Sequence, residues 1–138
     1  MSEIRGVEVL PVTLFSDERG CVHKLHHNLK LEDVYVTTVH RGVIKGFHGY
    51  YTKRINFTCI KGKVKLVLWD GRDFFEDYVV GDENRITVSV PAGTFTAFKG
   101  IAEENIMVIT SDEYFSEDAM MPRIQPESVG YDWSTKNG

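Results

Sequence analysis

The sequence predicts a small all-β fold, an antiparallel barrel or jelly roll. Three observations carry that expectation. Short runs rich in β-branched and aromatic residues recur along the chain, clusters of turn residues separate them, and no long helix is needed to account for what remains. Folds of this kind can enclose a ligand cavity, with inward and outward residues alternating along each strand.

The runs read in order. "VEVLPVTL" (residues 7–14) is a first strand, with Pro11 favouring an edge or a bulge. "SDERG" (16–20) is a turn, and "CVHKLHH" (21–27) supplies the next strand. "LKLED" (29–33) reads as a short helical turn, and "VYVTTV" (34–39) as a strand. "RINFTCI" and "KVKLVLW" are strands joined by a tight Lys61-Gly62 turn, as in a hairpin. "DGRD" (70–73) and "GDEN" (81–84) are turns around the strand "FFEDYVV". "RITVSV", the "PAG" turn, "TFTAF" and "NIMVIT" complete about nine or ten strands at the spacing of sandwiches and barrels. From about residue 116 the chain is irregular, with "MMPRIQP" expected as an extended segment lying on the body.

Composition narrows the function. The chain has 138 residues, 42% hydrophobic and 26% charged, which fits one domain over residues 1–138 with a real core. A net charge of −4 argues against a sequence-independent nucleic-acid binder, although local basic clusters can hold a small anion. No apolar run approaches the ~20 residues of a membrane span, and the first residues do not read as a signal peptide. Cys21 and Cys59 form no CxxC motif and are expected as free thiols in a reducing cytoplasm.

Side-chain phase bears on the stretch "RGVIKGFHGYYTKRINF". In "TKRINFTCI", Ile55, Phe57 and Cys59 share an inward face and Lys53 is in phase with them, whereas Arg54, Asn56 and Thr58 point the other way. Lys53 is thus the cation expected at the barrel mouth. His48, between Gly46 and Gly49, is the candidate for proton transfer, since an imidazole titrates near neutrality. His23, His26 and His27 in "HKLHH" read as a solvated strand end rather than a ligand set.

Five motifs occur in a particular order: "DERG" (17–20), "RGVIKGFH" (41–48), "GKVKLVLWDGR" (62–72), "VPAG" (90–93) and "TSDEY" (110–114). Together they resemble the dTDP-4-dehydrorhamnose 3,5-epimerase family of cupins, whose patterns are DxRG, GVLRGLH, GxVxDVxVDxR, IPxGxxHGF and TTxYY. The "VYVTTVHRGVIKGFH" segment is also similar to the related sugar 3,4-ketoisomerases. The resemblance implies a double-stranded β-helix, usually a homodimer, acting on a nucleotide-linked 4-keto-6-deoxy sugar, dTDP-linked in that family. It implies that His48 is the catalytic base; on the chemistry of the residues themselves Lys53 is cast as the cation that stabilises the enolate, and Tyr50, Tyr51 or Tyr114 as the phenol standing in for the acid. Its matches at Arg19 and Lys45 place those two as substrate-binding candidates; Arg54 and Arg72 are further cations near the motifs, Tyr35, Tyr50 and Trp69 are rings able to stack a base or sugar, and Tyr114 is a further binding candidate. No cofactor or metal is expected, because of the four ligands of metal cupins only His48 is kept.

The chain also departs from the family. The family's phenolic acid falls at Val108, its second histidine at Thr96, its arginine before the base at Lys45, its glutamate after DxRG at Lys24, and its lysine near Ile55. The aspartate that pairs with the base has no counterpart, unless Asp112, Glu113 or a subunit neighbour supplies one. A 3,4-ketoisomerase and a non-catalytic sugar-nucleotide-binding cupin are the alternative readings.

Overall fold

In the computed structural model, which describes residues 4–25 and 29–135, eleven strands form two facing sheets and a separate hairpin. The strands are β1 (Glu8–Pro11), β2 (Thr13–Asp17), β3 (Gly20–Lys24), β4 (Asp33–Thr38), β5 (Ile44–His48), β6 (Ile55–Lys61), β7 (Lys63–Trp69), β8 (Phe75–Gly81), β9 (Ile86–Val90), β10 (Phe95–Gly100) and β11 (Ile106–Ser111). One sheet has the order β1-β9-β6-β11-β4 and the other β5-β10-β7-β8, while β2 pairs with β3. This is the jelly roll the sequence predicts.

Three details differ from the expectation. The first predicted strand splits at Val12, whose amide turns away to the carbonyl of Arg85. Residues 29–32 are not helical. β6 and β7 are consecutive but form no hairpin: β6 pairs with β9 and β11, and β7 with β8 and β10. At Lys61-Gly62 the chain crosses from one sheet to the other. Gly62 has φ +89, and a Cβ there would run into the carbonyl of Glu104, so the crossing requires glycine.

The core lies between the sheets. Val64, Leu66 and Leu68 of β7 meet Phe57, Cys59, Val88, Met107 and Ile109 from the opposite wall. The alternation predicted for β6 holds for Ile55, Phe57 and Cys59. Its other face is also buried: Asn56 Nδ2 donates to Thr110 Oγ1 (3.0 Å) and the Thr58 and Thr87 hydroxyls lie 2.6 Å apart, while Asn56 Oδ1 finds no hydrogen-bond partner among the described residues.

A second core covers the back of the four-stranded sheet. Phe47, Val67 and Ala97 are packed there by Ile124, Val129, Tyr131 and Trp133 from the C-terminal segment. That segment lies extended on the body, as expected. Its backbone pairs with β5: Phe47 N donates to Ile124 O (2.9 Å) and Ile124 N to Phe47 O (3.1 Å).

The loop before β11 is held by one amide. Asn105 Oδ1 accepts from Lys63 N (2.9 Å), and its Nδ2 donates to the carbonyls of Val39 (2.9 Å) and Ala102 (2.8 Å). Truncation strands several buried backbone groups, so Asn105→Ala should cost on the order of 3 kcal/mol. A shift in the urea midpoint with an unchanged slope is the measurement; a loss under about 0.5 kcal/mol would refute the assignment.

Candidate functional site

A bulge decides which side chains of β5 face inward. Thr96 of β10 lies opposite His48, but Phe98 lies opposite Lys45, so three residues of β5 span two of β10. Strict alternation would put Lys45 and His48 on opposite faces. The extra residue brings both to the inner face, and sends Ile44 and Phe47 to the outer core. Gly46 permits this: its φ is +138, and a Cβ would stand 2.5 Å from the Cβ of Ala97.

The inner face of β5 borders a cavity of about 210 Å³ at one end of the two sheets. His48, Lys45, Thr96 and Phe98 form one wall. Tyr35, Thr37, Ile55, Phe57 and Ile109 form the facing wall, with Tyr50 and Met120 also in the lining. A recess beside it joins His48 and Tyr50 to Lys53, Thr94 and Thr96.

Four ionisable groups in or beside the cavity are perturbed: His48, Lys53, Tyr35 and Tyr50. His48 is drawn below its ordinary pKa, first by burial and then by the Arg123 guanidinium. Its Nδ1 is buried and finds no hydrogen-bond partner among the described residues. Lys53 is 3% exposed, and its ammonium lies 4.1 Å from the centroid of the Tyr50 ring and 5.8 Å from that of Phe115. Burial lowers its pKa, and Asp33, Glu113 and Asp112 act against that. Tyr35 keeps 43% of its surface exposed, yet lost hydration around the phenol, followed by Tyr50 and Asp33, pushes its pKa up to about 12. The two are compatible because the surroundings of the hydroxyl, not of the whole ring, set its acidity. Tyr50 is raised too, by burial and then Asp33. Both phenols therefore hold their protons at neutral pH.

The other sequence candidates are dispersed. Lys45 lines the cavity, but its Nζ donates to Thr37 Oγ1 (3.0 Å) and Thr38 O (2.6 Å), tying β5 to β4 across the gap. Arg54 lies outside the lining, bound to Ser89 Oγ and Gly6 O (both 2.9 Å). Arg19 sits at the tip of the β2–β3 hairpin, paired with Asp17 at 2.6 Å. Arg72 is in the turn after β7, where its carbonyl accepts from the Trp69 indole (3.2 Å). Tyr51 and Tyr114 are exposed and outside the lining, and Trp69 packs in the outer core against Phe47, Phe75 and Phe95. His23 is exposed on β3, while His26 and His27 lie outside the described residues.

The family positions that had changed identity separate cleanly. Thr96 and Ile55 line the cavity. Val108 does not: Met107 and Ile109 belong to the core, so Val108 points to the other face of β11, while Tyr35, the cross-strand partner of Ile109, and Tyr50 are the phenols in the cavity lining. Asp112 and Glu113 do not serve His48: the Asp112 carboxylate accepts from Arg54 N (2.9 Å), and the Glu113 carboxylate from Thr52 Oγ1 (2.9 Å). Sequence reasoning missed Arg123, because an irregular tail carries no strand signal. Among the described residues, no group of three or more His, Cys, Asp or Glu is placed to hold a metal ion.

A histidine held neutral by its surroundings gives a defined pH response. His48 should titrate below the ordinary histidine range, and Arg123→Gln should move its midpoint upward, as read by NMR of the imidazole protons. Because the folded pKa is the lower one, this contribution to stability is complete above the ordinary value and is lost as pH falls through the lowered value. A midpoint at or above the ordinary value would contradict the geometry.

A family model described as FdtA, WxcM-like, C-terminal, matches residues 5–123. No curated protein matches the chain in sequence. Among solved structures, a dTDP sugar isomerase from Desulfovibrio desulfuricans G20 superposes with a TM-score of 0.87 at 14% identity, covering 97% of this chain and 94% of that one. NovW, a 4-keto-6-deoxy sugar epimerase from the novobiocin cluster of Streptomyces spheroides, gives 0.86 at 22% identity, with 98% and 78% covered. QdtA, a sugar 3,4-ketoisomerase from Thermoanaerobacterium thermosaccharolyticum solved with TDP, gives 0.76 at 16%, with 85% and 88% covered. The shared jelly roll and a family match spanning most of the strands lead to one assignment: the chain belongs to the FdtA family (WxcM-like, C-terminal).

Proposed function

We propose that this protein enolises a nucleotide-linked 4-keto-6-deoxy sugar, dTDP-linked as in the structural neighbours, and epimerises it at C3, C5 or both. The observation that carries the reading is the placement of His48 and Tyr35 on facing walls of one cavity. A ketone at C4 acidifies the hydrogens on C3 and C5. His48, kept neutral, takes one of them, and Nε2 is the nitrogen assigned to the task because Nδ1 is buried. The electron pair moves into an enolate whose oxygen is stabilised by the Lys53 ammonium or the Tyr50 hydroxyl at the mouth. Tyr35 then gives its proton to the carbon from the side opposite His48, and the configuration inverts. Tyr35 replaces Tyr51 as an acid candidate in this reading, since Tyr51 is outside the lining.

The family match and the QdtA-like fold favour a second reading, 3,4-ketoisomerisation, in which the proton returns to C4 rather than C3. Incubation with a dTDP-4-keto-6-deoxyhexose in D₂O separates the two: deuterium at C3 or C5 with inversion marks the epimerase, and a ketone moved to C3 the isomerase. Binding without exchange would leave a sugar-nucleotide-binding protein. His48→Asn should abolish exchange while binding stays within a few-fold. Tyr35→Phe should cut inversion at least about tenfold while exchange persists. Exchange at the native rate in His48→Asn would remove His48 as the base, and undiminished inversion in Tyr35→Phe would remove the phenol as the acid. Chelation should leave activity intact; loss restored by a divalent ion would refute a metal-free site.

A cavity of about 210 Å³ accommodates a hexose ring, not a whole sugar nucleotide. The nucleotide therefore lies outside it, and we infer that a second copy completes the site. Val34 and Val36 on the edge strand β4 are 59% and 63% exposed, and Leu14, Phe15 and Val22 are open on the hairpin that carries Arg19. Light scattering should give a dimer, and Val36→Glu should shift it toward monomer; a native monomer at micromolar concentration would refute this. Cys21 and Cys59 are unpaired, which fits a cytoplasmic location.

A further inference from the structure

A second cavity, of about 570 Å³, opens on the solvent side of the four-stranded sheet, where Trp133, Ser134 and Thr135 border it together with residues of β7, β8 and β10. Its lining includes Arg41, Lys63, Lys65, Lys99, Asp77 and Trp133. The sheet separates it from the cavity that holds His48: Leu66 and Phe98 point into the core, so their neighbours Lys65 and Lys99 point outward. In the register of β7 and β10, Lys65 and Lys99 are direct cross-strand partners, and Lys63 lies on the same face of β7. Like charges placed opposite each other destabilise a sheet.

Solvated surface lysines would be the ordinary explanation, and the contacts argue against it. Each of these three lysines is only partly exposed. Lys63 has a carboxylate partner, Glu83 at 2.8 Å. Lys99 Nζ donates to the Trp133 carbonyl (3.2 Å), Lys65 Nζ lies 5.1 Å from the centroid of the Tyr131 ring, and Arg41 Nε donates to the Ile101 carbonyl (3.3 Å). Asp77, the acid of the lining, has its Oδ2 engaged by the Tyr131 hydroxyl at 2.6 Å. Glu83 offsets Lys63, Asp132 acts on Lys65 and Asp77 stays in the lining, whereas Lys99 and Arg41 are aimed by neutral carbonyls alone, so the groove keeps a cationic surplus in a protein whose net charge is −4. The fork of a guanidinium with two ammonium groups is the donor set that phosphate oxygens require.

We propose that this groove binds a di- or polyphosphate anion, independently of the site around His48. Free pyrophosphate and a nucleoside diphosphate share that chemistry, and the indole of Trp133 in the wall offers the second a surface on which to rest.

The test is isothermal titration of the full chain with pyrophosphate and with ADP, with sulfate at matched ionic strength as control. Saturable pyrophosphate binding is expected that weakens about tenfold or more in the double variant Lys65→Gln/Lys99→Gln, whose side chains lie outside the cavity of His48. Tighter binding of ADP than of pyrophosphate identifies a nucleotide as the occupant, and equal binding identifies the diphosphate alone; either supports the site. Without ligand the double variant should melt no lower than the native chain, and pyrophosphate should raise only the native melting temperature. Undiminished binding in the double variant, or equal stabilisation by sulfate, would overturn the proposal. If the double variant does not fold, Arg41→Gln, at an exposed position, decides: unchanged pyrophosphate affinity there overturns it as well.

Discussion

Gly46 packs so tightly on Ala97 that no side chain fits between them, and most of what is distinctive about this molecule depends on that approach. Around it β5 gains a residue relative to β10. A period of two would divide Lys45 from His48 and send one of them into the outer core. With the bulge, the imidazole and the ammonium face the same cavity, while Ile44 and Phe47 remain with the apolar residues behind the sheet. A β-bulge beside a site is a common way to re-aim a side chain without bending the whole sheet. Here a single backbone irregularity sets both the chemistry in front and the packing behind.

The support for that irregularity comes from the far end of the chain. Residues near Ile124 bond to Phe47 on the open side of β5, giving an edge strand a partner and fixing its position. Behind it Trp133 meets Phe47 and Tyr131 meets Phe75 at tilted angles, with Tyr131 and Trp133 edge to face, so a segment without regular secondary structure is held by aromatic contact. The same segment brings Arg123 to His48. Where the related families are expected to place an acid by the base, this chain places a cation. An acid would favour the imidazolium and a cation opposes it, so the imidazole here is held neutral and available as a base, with its basicity reduced.

The sheet strands and the inward face of β6 were legible in the sequence because alternation and turn residues are local signals. The phase of Lys53 was legible for the same reason. What alternation could not convey was any departure from alternation. The bulge at Gly46 is such a departure, and so is the crossing at Gly62, whose tight turn looks like a hairpin when partners are assigned by proximity alone. Val108 illustrates a different limit: counting back from a motif gives a position in the chain, not the side of the strand it occupies. Tyr35 was already a binding candidate in the sequence, but its place on the wall facing His48, and Arg123 as a site residue at all, became visible only once β4 and the C-terminal segment were seen against β11 and β5.

The pairing order has a kinetic side. β1 is bonded to β9, β4 to β11, β5 to β10, and β6 to both β9 and β11. Among the described strands, only β2 with β3 and β7 with β8 are neighbours in both chain and sheet. During synthesis the earlier strands emerge well before the strands that will flank them, so their backbone groups and apolar faces wait unpaired. Closure over such distances in sequence makes folding slow, in the range of milliseconds to seconds for sandwich-like domains. While it lasts, the valines of β4 are available to any neighbouring chain, and crowded production of this protein should lose material to aggregation before the last strands arrive.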